Sequence, residues 1–292
     1  MRIFLTIIIL ILTIHSTSAQ NKRALIVGIS TYNPRGVNSN TVWNNIHGTN
    51  DTELIKRTLR QQGFTINSLK ESKATAYNIR KAFAKLMKET KKGDVIYIHF
   101  SGHGQAVEDM NGDEQDGWDE AIIPVDAAAV YSPKSYRGEN HILDDELYGY
   151  FKTLRSKIGS NGMLYATIDA CHSGSSYRGE DVEDTIYVRG TDNGFSFTGK
   201  RYTPRIDKRG HIVVGKAKGM SDVCIIEACR SYEVNTEIKE NGIYYGPLSF
   251  YINKVLSSTT LSSDISWTGK VRTLMDKDKR LIKQHIVIES TK

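Results

Sequence analysis

Two stretches of sequence decide the fold: Val95-Ile96-Tyr97-Ile98-His99-Phe100 running into Ser101-Gly102-His103-Gly104, and Met163–Asp169 running into Ala170-Cys171-His172-Ser173-Gly174. Each begins with an apolar run typical of a fully buried parallel strand and ends in small residues around a histidine or a cysteine. The carboxyl ends of parallel strands share one edge of a sheet, where α/β proteins bind their ligands. We therefore expect His103 and Cys171 to face each other across one crevice.

The same alternation of strand and helix continues along the chain on both sides of these stretches. Apolar runs predict further strands at 24–29, 66–69, 223–228 and 283–289, and helical spacing predicts helices at 51–62, 75–87, 144–158, 247–256 and 267–278. This order predicts an α/β fold with a mainly parallel sheet and helices on both faces. We expect a single domain, although two independent domains remain an alternative.

Residues 178–220 interrupt the alternation. They are rich in Gly, Arg, Lys and Thr, and the stretch from 200 to 218 holds seven basic residues and one acid. We expect a long surface loop here. The chain as a whole carries a net charge of +6. Because the excess lies in one loop without interleaved aromatic residues or a nucleic-acid-binding motif, no nucleic-acid partner is expected.

The first 19 residues have the layout of a secretory signal: a positive head, an apolar run of about 12 residues and small residues before Gln20. We expect cleavage after Ala19, with an uncleaved anchor as the alternative, and assign 20–292 to the mature domain. The protein is then exported, periplasmic or extracellular, without stable membrane insertion. Of three cysteines, Cys224 and Cys229 lie about 16 Å apart along a strand, too far for a disulfide, and are predicted to be buried small side chains.

A histidine beside a cysteine thiol can take its proton and return it to a leaving amine. The sequence therefore suggests Cys171 as nucleophile and His103 as base and acid, with the N–H groups of Gly104 and Cys171 as an oxyanion hole. Buried structural roles for both side chains remain open. Zinc bound with His99 and His172 is a further alternative, although no metal-ligand spacing supports it.

Both motifs resemble the active-site motifs of the caspase-like cysteine peptidases, closest to the metacaspase and bacterial caspase-like branch. Other segments agree with this resemblance: Gly48-Thr49-Asn50-Asp51, Asp116–Ala121, Pro124-Val125-Asp126, Glu227–Arg230 and Tyr245–Leu248. It implies a three-layer caspase-haemoglobinase fold with a large-subunit-like part (20–177), a basic linker (178–220) and a small-subunit-like part (221–292). It also implies a cysteine endopeptidase, which would be a secreted one if residues 1–19 are a signal. The alternatives are a catalytically silent homologue that acts as a binding module, and a legumain-, clostripain- or gingipain-type peptidase of other specificity.

The resemblance also suggests what the pocket prefers. Asp169, two residues before the nucleophile, and Asp51 match the acids that line a pocket for Arg or Lys in the metacaspase branch, so we expect protein or peptide substrates cleaved after basic residues. Helix capping is the alternative role for each acid. Self-cleavage in the linker is a further hypothesis, with a solvated, uncut loop as its alternative. The candidate sites are Arg178, Arg189, Lys200, Arg201, Arg205, Lys208, Arg209, Lys216 and Lys218.

No cofactor is required by this chemistry, but the resemblance raises the question of calcium. The candidate ligands are Asp116, Asp119, Asp144 and Asp145. Arg178 occupies the position where the family often has a further aspartate. The run Asp109-x-Asn111-x-Asp113 begins like an EF-hand loop, but Glu114 stands where that loop requires glycine. A solvated acidic loop is the alternative.

Overall fold

A computed structural model describes residues 20–32, 43–172, 186–261, 264–281 and 283–292. The predicted targeting segment, 1–19, and the start of the linker, 178–185, lie outside the described residues. The helices are α1 (Gly48–Gln61), α2 (Ala76–Glu89), α3 (Asp144–Ile158), α4 (Pro247–Leu256) and α5 (Ser266–Lys277). The strands are β1 (Lys22–Gly28), β2 (Thr65–Lys70), β3 (Val95–Ser101), β4 (Gly104–Glu108), β5 (Trp118–Ile122), β6 (Ile142–Leu143), β7 (Met163–Asp169), β8 (His211–Val213), β9 (Asp222–Glu227), β10 (Ile238–Glu240), β11 (Ile243–Tyr245) and β12 (Val287–Ser290).

Seven strands form the central sheet, in the order β2-β1-β3-β7-β9-β12-β8. All neighbours are parallel except β9 and β12, which are antiparallel. The predicted mainly parallel sheet is confirmed. In its centre β3 lies beside β7 in a register that pairs Ser101 with Asp169, so the two motif-bearing strands end at the same level.

The two faces of the sheet bury separate hydrophobic cores. One face packs against α2 and α3, through residues such as Phe83 and Phe151, and the other packs against α1, α4 and α5, through residues such as Leu59, Leu248 and Trp267. Successive sheet residues point to opposite faces, which is why Leu25 belongs to the first core and Ile26 to the second. Helices on both faces were predicted, and the structure confirms them.

Two small sheets were not predicted. Strands β4, β5 and β6 form a three-stranded antiparallel sheet, and β10 and β11 form a hairpin. The strands of both sheets have two to five residues, too few to show a clear period in the sequence. In the part of the chain that the structure describes, no helix combines the length and apolarity needed to cross a bilayer.

The prediction that 178–220 is a surface loop is wrong between 187 and 197, whereas most residues of 198–220 are exposed as predicted. Arg189 and Phe195 are fully buried, and β8 joins the edge of the central sheet. Phe195 exchanges hydrogen bonds with β4, donating its N–H to Ala106 and accepting from the N–H of Glu108. The linker is therefore bound to the protein around Arg189 and Phe195 and again at β8.

Glu108 anchors the linker beyond Phe195. Its carboxylate accepts hydrogen bonds from the hydroxyl groups of Thr198 and Ser196 and from the N–H groups of Phe197 and Thr198, at 2.6–3.0 Å. Bonds from Thr198 are the largest cause that lowers the pKa of Glu108 to about 2. The ionised form is thus the stabilising one.

Replacing Glu108 by Gln should lower the free energy of unfolding at pH 7 by about 1.5–3 kcal/mol, the contribution of a charge-assisted hydrogen bond. A lowered carboxyl pKa contributes stability that is complete above the ordinary value of 4.5 and is lost as the pH falls toward 2. Urea unfolding of wild type and Glu108→Gln should therefore give midpoints that converge over this range. Glu89→Gln, at an exposed carboxylate on α2, serves as the control. A difference that persists unchanged at pH 2.5 would contradict this assignment.

Candidate active site

The ends of β3 and β7 bring the two sequence motifs together on one oxygen atom. The backbone N–H of Gly104 and that of Cys171 both donate to the carbonyl oxygen of Arg189, at 3.1 and 3.0 Å. A Cβ added at Gly104 would lie 2.7 Å from the carbonyl oxygen of Cys171, so glycine is needed for this close approach. The pair of N–H groups expected to hold an oxyanion thus has a carbonyl oxygen between them.

The His103 imidazole packs against two aromatic rings. Its centroid lies 4.8 Å from that of Tyr32 and 4.9 Å from that of Trp43, and its Nε2 is 2.8 Å from the carbonyl oxygen of Asn44. A carbonyl only accepts, so Nε2 carries the proton. Nδ1 is buried and has no hydrogen-bond partner among the described residues. Burial lowers the pKa of His103 to about 4, which leaves a neutral imidazole with a free lone pair at pH 7.

Cys171 is buried, and its Sγ donates to the carbonyl oxygen of Glu233 at 2.8 Å. Cys229 lies beside it, with Sγ 3.7 Å from the same carbonyl. Contact with the Cys171 thiol, followed by burial, raises the pKa of Cys229 well above its usual range. All three cysteines are buried and none forms a disulfide with another, as predicted for Cys224 and Cys229.

A fully buried guanidinium fills the space between the predicted pocket acids. Arg189 Nη2 lies 2.8 Å from Asp51 Oδ2 and 2.7 Å from Glu237 Oε1. Arg189 Nη1 lies 2.7 Å from Ser101 Oγ and 3.6 Å from Asp169 Oδ1. Burial disfavours the charged guanidinium, but the three carboxylates outweigh it, and the pKa of Arg189 is raised.

Each pocket acid is fixed by further hydrogen bonds. Asp51 accepts from Ser101 Oγ at 2.6 Å and from the N–H of Gly246 at 3.0 Å. Asp169 accepts from Asn235 Nδ2 and from the N–H and hydroxyl of Ser249, in the first turn of α4. Asp169 therefore also meets a helix start, as the capping alternative requires, while the bonds just given for Asp51 lie outside its own helix.

Burial, which outweighs the nearby guanidinium, raises the pKa of Asp51 to about 7, and the charges of Asp169 and Glu237 raise it further. Three carboxylates share one cation, so the pocket has a surplus of negative charge. A pocket of this kind requires a cationic occupant.

Sequence reasoning missed two of the groups around the guanidinium. Ser101 lies inside the quoted motif, and its position next to Gly102-His103 was the only signal for it. Glu237 lies outside every motif. Its carboxylate is held by His47, through the backbone N–H at 2.8 Å and through Nδ1 at 2.6 Å. Arg189 itself was only one of nine basic residues in the linker.

The segment before Arg189 is bound as an extra strand. Arg189 N–H donates to Asn235, Glu237 N–H donates to Tyr187, and Val188 forms an antiparallel bridge with Thr236. Peptides commonly bind exposed sheet edges in this way. Residues 187–189 thus lie extended, with one side chain in the pocket and the following carbonyl between two N–H groups.

The candidate calcium ligands do not all converge. Among the described residues, carboxylate oxygens of Asp109, Asp113 and Asp119 lie within 4.8 Å of one another, and only Asp119 belongs to the predicted set. Asp116 accepts from the N–H of Trp118, and Asp145 accepts from the side chain of Asn111. Asp144 has one buried carboxylate oxygen with no partner in the described chain.

The pKa values of two of these acids are raised, that of Asp119 to about 6 and that of Asp144 to about 7, mainly by burial. The residues of the zinc alternative do not form such a group within the described ranges. His99 is instead bonded to Thr167 at 2.8 Å.

Comparison with known proteins shows which family the chain resembles. Residues 22–178 match the family model "Metacaspase, peptidase C14 domain". Metacaspase-1A of Aspergillus niger is 32% identical over 171 residues, covering 56% of this chain and 38% of that protein. Metacaspase-1 of Eremothecium gossypii is 26% identical over 300 residues, covering 89% of this chain and 62% of that protein. The chain thus spans less than two thirds of the length of these relatives.

The fold is also that of a caspase. The crystal structure of caspase-1 from Spodoptera frugiperda superimposes with a TM-score of 0.52 at 13% identity, covering 92% of this chain and 88% of that one. The α/β architecture predicted from sequence is therefore caspase-like. The family model covers more than half of the chain, and the chain therefore belongs to the metacaspase family.

Proposed function

We propose that this protein is a cysteine endopeptidase that cleaves peptide bonds after arginine. One observation carries the proposal: the Arg189 guanidinium lies among Asp51, Asp169 and Glu237, while its carbonyl oxygen lies between the N–H groups of Gly104 and Cys171. The arginine is thus held at two points: its guanidinium lies among the carboxylates, and the carbonyl of the bond that would be cut lies between two N–H groups. This is the arrangement that an acyl-transfer site requires.

The mechanism follows from the protonation states. Neutral His103 takes the proton of the Cys171 thiol, whose sulfur then bonds to the peptide carbonyl carbon. The two N–H groups stabilise the oxyanion, the C–N bond breaks, and His103 returns the proton to the leaving amine. Water then hydrolyses the thioester with His103 as base, which releases a carboxylate and restores the thiol.

Glu237 supports a preference for arginine over lysine. Two different guanidinium nitrogens contact the pocket: Nη2 pairs with Asp51 and Glu237, and Nη1 reaches Ser101 and Asp169. A lysine ammonium is one point charge and cannot match this fork. We propose lysine as the weaker substrate.

Peptides that differ only before the scissile bond test the activity. Arg should be cleaved at least about tenfold faster than Lys in kcat/KM, with Asp uncut, because each charge-assisted bond contributes about 1.5–3 kcal/mol. Glu237→Gln should narrow the Arg-to-Lys ratio, whereas Glu240→Gln, on the neighbouring hairpin, should leave it unchanged. Cys171→Ala and His103→Ala should abolish cleavage. A faster rate with Asp would refute the proposal.

The alternative of a catalytically silent homologue has its own readout. Labelling of Cys171 by an arginine chloromethyl ketone, without labelling of Cys224 or Cys229, shows a reactive thiol, whereas a silent homologue would leave Cys171 unlabelled. The buried, neutral His103 with its free Nδ1 favours the peptidase.

We further propose that the protein cuts itself at Arg189–Gly190. Of the nine basic candidates in the linker, Arg189 has the contacts of a bound substrate. The chain is held on both sides of this bond, by the 235–237 segment before it and by Phe195 and Glu108 after it. Because Arg189 fills the pocket, the uncut chain is a zymogen in this proposal.

Incubation of purified protein should give a fragment that begins at Gly190, detected by mass spectrometry and N-terminal sequencing. Arg189→Ala should prevent this cut because the pocket loses its cation, whereas Arg201→Ala, at an exposed linker position, should leave it intact. The Cys171→Ala protein provides the background. Appearance of the same fragment from Cys171→Ala would count against self-cleavage.

We also propose a calcium site, with ligand residues that differ in part from the predicted ones. The fit rests on the convergence of Asp109, Asp113 and Asp119 and on the unpartnered oxygen of Asp144, since calcium prefers carboxylate oxygens. The ion would neutralise the surplus charge beside β4 and β5, and β4 carries Gly104.

Calcium should raise the thermal unfolding midpoint of the Cys171→Ala protein, since a ligand that binds the folded state stabilises it. Asp119→Asn should remove this shift, and Asp276→Asn, on the exposed side of α5, should retain it. An equal shift in both variants would argue for nonspecific ion effects.

Export remains a proposal that rests on residues 1–19. Substrates are then proteins or peptides with arginine in an extended segment, outside the cytosol.

A further inference from the structure

Three aromatic rings meet beside the arginine pocket. The Tyr187 ring lies 4.6 Å from that of His47 and 4.9 Å from that of Tyr244, centroid to centroid, edge-on to both. His47 and Tyr244 are stacked on each other at 5.0 Å, with an interplanar angle of 20°. Tyr187 thus lies against a pair of rings, which we call the aromatic platform (His47 and Tyr244).

The platform belongs to the body of the protein rather than to the linker. Asn50, on α1, donates its side-chain N–H to the backbone carbonyl of Tyr244 at 2.9 Å. His47 precedes α1 and is bonded twice to the Glu237 carboxylate. Both rings therefore have supports that do not involve Tyr187, and they persist as a surface when another segment takes its place.

The register of the bound strand defines what this surface would recognise. Side chains two residues apart on an extended strand point to the same side, so Tyr187 and Arg189 are presented together. If the bond after Arg189 is the one cut, Tyr187 is the third residue before it. We propose that the aromatic platform is a second specificity site, which selects substrates with an aromatic residue two positions before the arginine.

This inference rests on the proposed function, because it takes 187–189 as the image of a substrate. His47 connects the two sites: its ring contacts Tyr187, and its Nδ1 and backbone N–H hold the carboxylate that pairs with Arg189. His47 is accordingly a positioning residue for Glu237. An aromatic residue on the platform orients the imidazole and through it the pocket carboxylate.

The experiment compares two fluorogenic peptides, acetyl-Tyr-Val-Arg and acetyl-Ala-Val-Arg, with protein that has been allowed to process. Edge-to-face ring contacts and the buried ring area should favour the Tyr peptide on the order of tenfold in kcat/KM. Tyr244→Ala should remove most of this advantage, and Tyr244→Phe should keep it. Tyr148→Ala, at an exposed tyrosine on α3, should not change it.

A second readout separates positioning from simple packing. If His47 positions Glu237, His47→Ala should also reduce the Arg-to-Lys ratio, measured with peptides that carry Ala in place of Tyr. Equal rates for the Tyr and Ala peptides would overturn the inference and leave the peptidase proposal standing. Failure to cleave either peptide, by protein whose pocket is free, would overturn the proposed function and this inference with it.

Discussion

The structure of the site depends on one buried charge balance, that of Arg189 with Asp51, Asp169 and Glu237. Either side of this balance alone would be costly to bury, because an ion loses its hydration without compensation. Together their charges compensate each other, and Ser101, Gly246 and Ser249 add further hydrogen bonds. These ion pairs hold the linker against the protein at Arg189.

The central sheet makes the balance achievable. Parallel β3 and β7 end in register, so that Ser101 and Asp169 lie side by side and the following residues leave the sheet together. The pocket acids come from α1, from the end of β7 and from the segment before β10. Three distant parts of the chain thus meet at one edge, while two apolar cores hold the layers in place.

Several features of this arrangement are legible in the sequence because they have a local signature. Long apolar runs predict the central strands, and helical spacing predicts the five helices. The residues around His103 and Cys171 predict the crevice. What stays hidden depends on long-range pairing. The sequence around Arg189 is like that around a solvent-exposed arginine, and Glu237 belongs to no motif. The strands β4 and β5 lie in a polar, glycine-rich stretch, and β4 also bonds to Phe195, far along the chain.

The route of the linker has a consequence for any free peptide that approaches the pocket. The attached segment 187–189 competes for the pocket at an effective concentration on the order of millimolar. A free peptide must therefore displace a competitor that stays tethered to the protein. A cut after Arg189 would change this competition, because the residues before it would then be held only by the pocket and by the 235–237 segment, while Phe195 and Glu108 would retain the residues after it. The contacts of Phe195 and Glu108 with the linker would therefore determine which side of the cut can leave the pocket.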